Sequence, residues 1–92
     1  MMNSAPQTLK QEIKRAIVES LRLPIPVEEI GDSISLFGEG LGLDSIDVLE
    51  LVLEMERRFG VAITDDDTGQ RVLRSVDTIA DFIMAERVKK TV

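Results

Sequence analysis

The chain has 92 residues, enough for one domain and too few for a second core. It sets 11 Lys and Arg against 17 Asp and Glu for a net charge of −6, and it has no Cys, His, Trp or Tyr and three Phe. These absences exclude the usual zinc, haem and iron–sulfur sites, Ser-His-Asp and Cys-His nucleophile pairs, disulfide frameworks, and the basic, aromatic platforms that bind nucleic acid. The first periodic segment runs from about Thr8 to Leu21, where Leu9, Ile13, Ala16, Ile17 and Leu21 recur at helical spacing. Lys10, Lys14, Arg15 and Glu19 fall elsewhere on the wheel. Two capping boxes compete for its start, Ser4…Gln7 and Thr8…Gln11, and Leu23-Pro24 ends it.

Pro24, Pro26, Gly31, Gly38, Gly40 and Gly42 then forbid a long helix. Ile25, Val27, Ile30, Ile34, Leu36, Phe37, Leu41 and Leu43 make this long connection apolar. It reads as an ordered loop packed on the bundle, with a short helical turn near Val27–Ile30.

The clearest helix covers Ser45 to Phe59, with Asp44 as N-cap and Asp47 beside the positive end of the dipole. At about 100° per residue, Ile46, Leu49, Val52, Leu53 and Phe59 take the core side, and Val48, Leu51 and Met55 widen the apolar arc. Asp47, Glu50, Glu54, Arg57 and Arg58 share the other side, Glu56 falls inside the apolar arc, and Gly60 stops the helix. Val61-Ala62-Ile63 is too short for a strand. Thr64-Asp65-Asp66-Asp67 caps a short helix to about Leu73, weakened by Gly69. Ser75 caps a last helix with Ile79, Phe82 and Ile83 inward and Arg87, Lys89 and Lys90 near its end. The expected fold is an all-α four-helix bundle of three longer helices and one short one, with a long loop between helices 1 and 2. Residues 1–92 form one domain, ordered over about residues 8–88, with frayed ends at 1–5 and 89–92.

Several motifs fail on spacing. Gly38-x-Gly40-x-Gly42 has Leu43 where a dinucleotide fingerprint needs its third glycine, and no Gly-Lys-Ser/Thr follows. Asp65-Asp66-Asp67 has Gln70 and Val76 where an EF-hand needs Gly and Glu, so no metal site is expected. The carboxylates show no apolar pocket to tune a general acid, so the chain reads as no enzyme. No leader or apolar span appears, which leads us to expect a soluble, cytoplasmic monomer that does not span a membrane.

The charge is segregated. Nine acidic residues lie between Glu28 and Glu56 with no Lys or Arg among them, so the rest of the chain is net basic. A one-signed surface of this kind steers a basic partner. Ser45 sits at its centre, between Asp44 and Ile46-Asp47. By itself it reads as a capping serine. With no His to activate its hydroxyl, any chemistry at Ser45 makes it a substrate for modification and not a catalyst.

Gly42-Leu43-Asp44-Ser45-Ile46-Asp47 resembles the Asp-Ser-Leu-type attachment motif of acyl carrier proteins. Asp32…Leu36-Phe37…Leu41 upstream, and Asp47-Val48-Leu49-Glu50-Leu51-Val52…Glu56…Phe59-Gly60-Val61…Ile63 downstream, extend the resemblance over about residues 8 to 88. It implies an acyl-carrier-like bundle in which a phosphopantetheinyl transferase attaches 4′-phosphopantetheine from coenzyme A to Ser45. Acyl groups would ride on its thiol as thioesters of fatty acid, polyketide or related lipid synthesis. Asp44, Asp47, Glu50, Glu54 and Glu56 would be read by basic patches on acyl-transferring, ketosynthase- or reductase-type enzymes. An acyl chain would fold back among Leu49, Val52, Leu53, Ile63 and Ile83.

Three features depart from the carriers of primary fatty acid synthesis: Leu43 in place of Ala, Arg57 and Arg58 in place of acidic residues, and a stretch from Ile63 to Val76 about two residues longer. They count against the standard fatty-acid-synthase partners and leave room for a dedicated pathway, and they predict better transfer by ordinary fatty-acid enzymes after Arg57→Glu plus Arg58→Glu. A peptidyl or aminoacyl carrier and an acidic helical interaction module without prosthetic group are the alternative readings.

Overall fold

The first helix, α1 (Gln7–Leu21), turns Leu9, Ile13, Ala16 and Ile17 inward, as the spacing predicts. This computed structural model describes residues 6–38 and 40–91, with the backbone alone for Asp66, Lys89, Lys90 and Thr91. Pro6 holds the N-cap position of α1 without a side-chain cap, and its carbonyl accepts from Lys10 N at 3.1 Å. The Thr8…Gln11 box does not start the helix. Thr8 is already helical, and Ser4 lies outside the described residues. The helix stops before the proline, because Arg22 turns left-handed at φ 54 and Leu23 N donates to Val18 O at 3.1 Å.

The long connection is ordered from within. A 3-10 turn at Val27–Glu29 leads to Ile30, which with Leu36 and Leu43 is buried in the core. Ile25, Phe37 and Leu41 pack partly against it, and Ile34 stays exposed. Two backbone bonds pin the loop to the joint between the last two helices: Leu36 N to Arg74 O at 2.8 Å and Asp77 N to Asp32 O at 2.9 Å.

The second helix, α2 (Ser45–Phe59), packs on α1, as does α4 (Val76–Thr91). The short α3 (Asp66–Val72) packs on α4. The described residues thus form an all-helical bundle with three longer helices and one short one. Asp65 caps α3 by accepting from Thr68 N at 2.7 Å and Thr68 Oγ1 at 3.0 Å, which holds its carboxyl below the usual range. At the head of α4, Ser75 Oγ accepts from Thr78 N at 3.3 Å while Ser75 N donates to Thr78 Oγ1 at 3.0 Å. Ile79 and Ile83 are buried and Phe82 half-buried, as expected of the last helix. The expected fraying at 1–5 and at Val92 lies outside the described residues, whereas α4 stays helical through Thr91.

The face of α2 differs from the expectation. Leu51 and Met55 are fully buried, with Val48, Val52 and Phe59 partly so. Ile46, Leu49 and Leu53, expected inward, are 69%, 66% and 57% exposed. Glu54, expected outward, is buried. It accepts from Arg57 at 2.9 Å and from Arg58 Nε, and Arg58 also reaches Glu19 on α1. Apolar residues occupy most of the helix circumference, so the wheel alone does not choose the inward part. The Glu54–Arg58–Glu19 chain lets a carboxylate sit against α1. It turns three large apolar side chains outward, while Glu56, expected in the apolar arc, is exposed.

Lys14, also expected on the outside, is buried. Its ammonium lies 2.7 Å from Asp32, and Lys10 bridges Asp32 at 3.6 Å and Asp77 at 2.9 Å. The hydrogen bond from Lys14 holds the Asp32 carboxyl below its ordinary 3.8. The hydrogen bond that Lys10 donates to Asp77 holds its own ammonium above 10.5. Asp32 therefore contributes stability fully present above 3.8 and lost as pH falls through its lower folded pKa. Lys10 contributes stability fully present below 10.5 and lost as pH rises through its higher folded pKa. Melting temperature should be level between about pH 5 and 9 on account of this cluster. Asp32→Asn should cost about 1 kcal/mol of stability at pH 7, the carboxylate being a third exposed, and should flatten the acid limb of the melting profile. An acid limb unchanged by Asp32→Asn would refute the assignment.

Candidate functional site: the serine at the head of α2

Leu43 anchors the approach to α2. Its side chain is buried and its N–H donates to Leu36 O at 3.0 Å. Gly42 turns with φ 75, and a Cβ at Gly40 would stand 1.7 Å from Ser35 O, so the glycines let this loop close on itself. Asp44 then caps the helix, its Oδ1 accepting from Ile46 N and Asp47 N, both at 3.1 Å. Asp47 Oδ2 returns the bond to Asp44 N at 3.0 Å, closing a capping box.

Ser45 is therefore not the cap. It is the first helical residue, exposed, and its hydroxyl makes no hydrogen bond among the described residues. Two clefts flank it, sharing Ser45, Val48 and Gln70 as a common wall. One, of about 410 Å³, runs between α2 and α3 and is lined by Ile46, Leu49, Val52, Ile63 and Gly69. The other, of about 820 Å³, is bounded by Phe37, Leu43, Asp67, Arg71 and Arg74.

Of the residues expected around an acyl chain, Leu49, Val52 and Ile63 line the first cleft. Leu53 points to solvent and Ile83 is sealed in the core, because α2 is turned and α4 packs on α1 and α3. Of the expected acidic surface, Asp44, Asp47, Glu50 and Glu56 retain solvent contact, and Glu54 is spent on the arginines. Glu39, within the acidic run, lies outside the described residues. The sequence reading missed the exposed Ile46–Leu49–Leu53 strip and the arginines near Ser45. The three-and-four spacing of the strip was legible, but not its direction. No cluster of potential metal ligands occurs among the described residues.

A family profile described as a phosphopantetheine attachment site matches residues 11–83. The chain is 39% identical over 76 residues to the acyl carrier protein of Nitratidesulfovibrio vulgaris strain DP4, covering 83% of this chain and 93% of the relative. Identity and coverage are the same for that of strain Hildenborough. The Miyazaki F protein is 38% identical over 73 residues, covering 79% of this chain and 91% of the relative. The chain belongs to the acyl carrier protein family. This carrier's prosthetic group is covalently attached 4′-phosphopantetheine. A free, exposed hydroxyl opening on two clefts fits such a group, since a phosphodiester there displaces no hydrogen bond of the fold.

Gly69 is the floor of the smaller cleft, in the middle of α3. A Cβ there would lie 3.5 Å from Ile63 Cγ2, an ordinary contact. Gly69→Ala should therefore stabilise the carrier by about 1 kcal/mol. That raises its melting temperature by about 4–8 °C while narrowing the cleft. A fall in melting temperature would show the site too tight for a methyl.

Proposed function

We propose that Ser45 is the attachment residue and that the protein shuttles acyl groups between enzymes of fatty acid, polyketide or related specialised lipid synthesis in the cytoplasm. The observation that carries this reading is the unbonded, exposed Ser45 hydroxyl whose capping role Asp44 has taken over. Ser45 Oγ loses its proton to a base on the transferase, because the chain has no His or Cys to supply one. It bonds to the phosphopantetheinyl phosphorus of coenzyme A, and the nucleoside bisphosphate leaves. Once bound, the arm supplies a terminal thiol that holds acyl groups as thioesters.

The chain's own residues present and shelter this arm and dock its partners. Ile46, Leu49 and Leu53 form an exposed strip flanked by Asp47, Glu50 and Glu56. A partner with a basic rim around an apolar patch matches that strip, and exposed charges give contacts that salt weakens and that release quickly. The cleft of Ile46, Leu49, Val52 and Ile63 offers an alkyl chain an apolar wall, which favours acyl over aminoacyl cargo. Loading by an adenylation enzyme would favour the latter.

The test is intact mass after incubation with coenzyme A, magnesium and a phosphopantetheinyl transferase, followed by peptide mapping. One phosphopantetheine on the Ser45 peptide is expected. No gain on folded protein, or a gain on another serine, overturns the assignment.

A further inference from the structure

The larger cleft beside Ser45 has a charge that the acidic face does not lead one to expect. Arg71 and Arg74 both line it, on a body of net charge −6. Both side chains are exposed, and neither makes an ion pair among the described residues, although Arg71 acts on Asp65 through space. Lys10, Lys14, Arg57 and Arg58, by contrast, are each held by carboxylates. Two carboxylates share the cleft. Asp44 is engaged in the capping box, and Asp67 stands exposed. Phe37, Leu43 and Val48 supply an apolar wall, and Gln70 a neutral polar group. The volume, about 820 Å³, is that of a small-molecule site.

We propose that this cleft receives an anionic group carried on the arm at Ser45, with Arg71 and Arg74 as its cations. The group is either the phosphodiester at the root of the arm or a carboxylate at the far end of the cargo. The inference rests on attachment at Ser45. The two clefts then sort cargo. A neutral alkyl chain turns toward Leu49, Val52 and Ile63, and an acyl group ending in an acid turns toward the arginines.

The test compares the 92-residue chain in four forms: without the arm, with the free arm, hexanoylated and adipoylated, each verified by intact mass. Arginine Nε–Hε resonances and the rate of thioester cleavage by hydroxylamine are read for the parent chain and for Arg71→Gln/Arg74→Gln. Arg15→Gln, an exposed cation outside this cleft, controls for the loss of a surface cation elsewhere. If the phosphodiester is the ligand, the Arg71 and Arg74 resonances move when the arm is added and change no further between hexanoyl and adipoyl. If a cargo carboxylate is the ligand, they move between hexanoyl and adipoyl. Adipoyl is then cleaved about two- to fivefold more slowly than in the double variant. That difference disappears at about 0.5 M salt and is retained in Arg15→Gln. Resonances that stay fixed through all four forms overturn the proposal. Failure to add the arm at Ser45 is seen in the mass itself, so it overturns the attachment assignment and this inference together.

Discussion

Ser45→Ala should lose the whole of the phosphopantetheine mass gain and none of the stability, and Asp44→Ala should do the reverse. The two residues are adjacent, and sequence reasoning gives either one a capping role. Geometry divides the work between them. Asp44 Oδ1 satisfies two of the first backbone N–H groups of α2, and Asp47 satisfies the Asp44 N–H in return. Removing the Asp44 carboxylate strands those donors and removes a negative charge from the positive end of the helix, costing about 1 kcal/mol. That lowers the melting temperature by about 4–8 °C in a domain of this size. Ser45 contributes no hydroxyl hydrogen bond and is exposed, so its truncation should change stability by less than about 0.5 kcal/mol. Thermal melts and intact masses of the two variants, side by side, check both halves. A large loss of stability in Ser45→Ala would return the hydroxyl to a structural role.

Arg58→Glu should destabilise the protein by about 2–3 kcal/mol, whereas Arg57→Glu should cost under about 1 kcal/mol. The sequence groups these arginines as one departure from an acidic recognition helix. The structure separates them. The Arg58 side chain is 34% exposed and joins the Glu54 carboxylate, itself 10% exposed, to Glu19 on α1. Reversing its charge sets three carboxylates together and leaves the buried one half-paired. Arg57 is 73% exposed and can be reversed while Arg58 still holds Glu54. Arg57→Glu alone is thus the fair test of whether charge late in α2 governs docking, because the double reversal would confound docking with unfolding. Urea melts of the single variants decide it. Equal midpoints would dissolve the Glu19–Arg58–Glu54 clip.

The helices themselves were legible because they are local. Apolar spacing, Gly60 as a stop, Asp44, the Thr64-Asp65-Asp66-Asp67 run and Ser75 as starts and the punctuation from Pro24 to Gly42 place all four within a residue or two. Ser45 was legible for the same reason, as an unactivated hydroxyl between two aspartates. The start of α1 was not. Its N-cap position falls to a proline with no side-chain oxygen, and the Thr8…Gln11 box, equally good as a pattern, begins at the second residue of the helix.

What the sequence determined by itself is the set of elements, the acidic middle of the chain and the position, at the head of α2, of the serine proposed for attachment. Each of these depends on residues within a turn or two of one another. The tertiary structure decided which side of α2 faces inward, and so which residues a partner or an acyl chain can touch. Leu53 went out and Glu54 went in because Arg58 could reach Glu19 across the α1–α2 contact. Lys14 went in because Asp32, eighteen residues away in the loop, lies against it. Arg71 and Arg74 came to the cleft beside the serine because the loop bonds back to the joint after α3, through Leu36 N to Arg74 O. Charge pairing between elements distant in sequence has no periodicity, so only the assembled fold could show it.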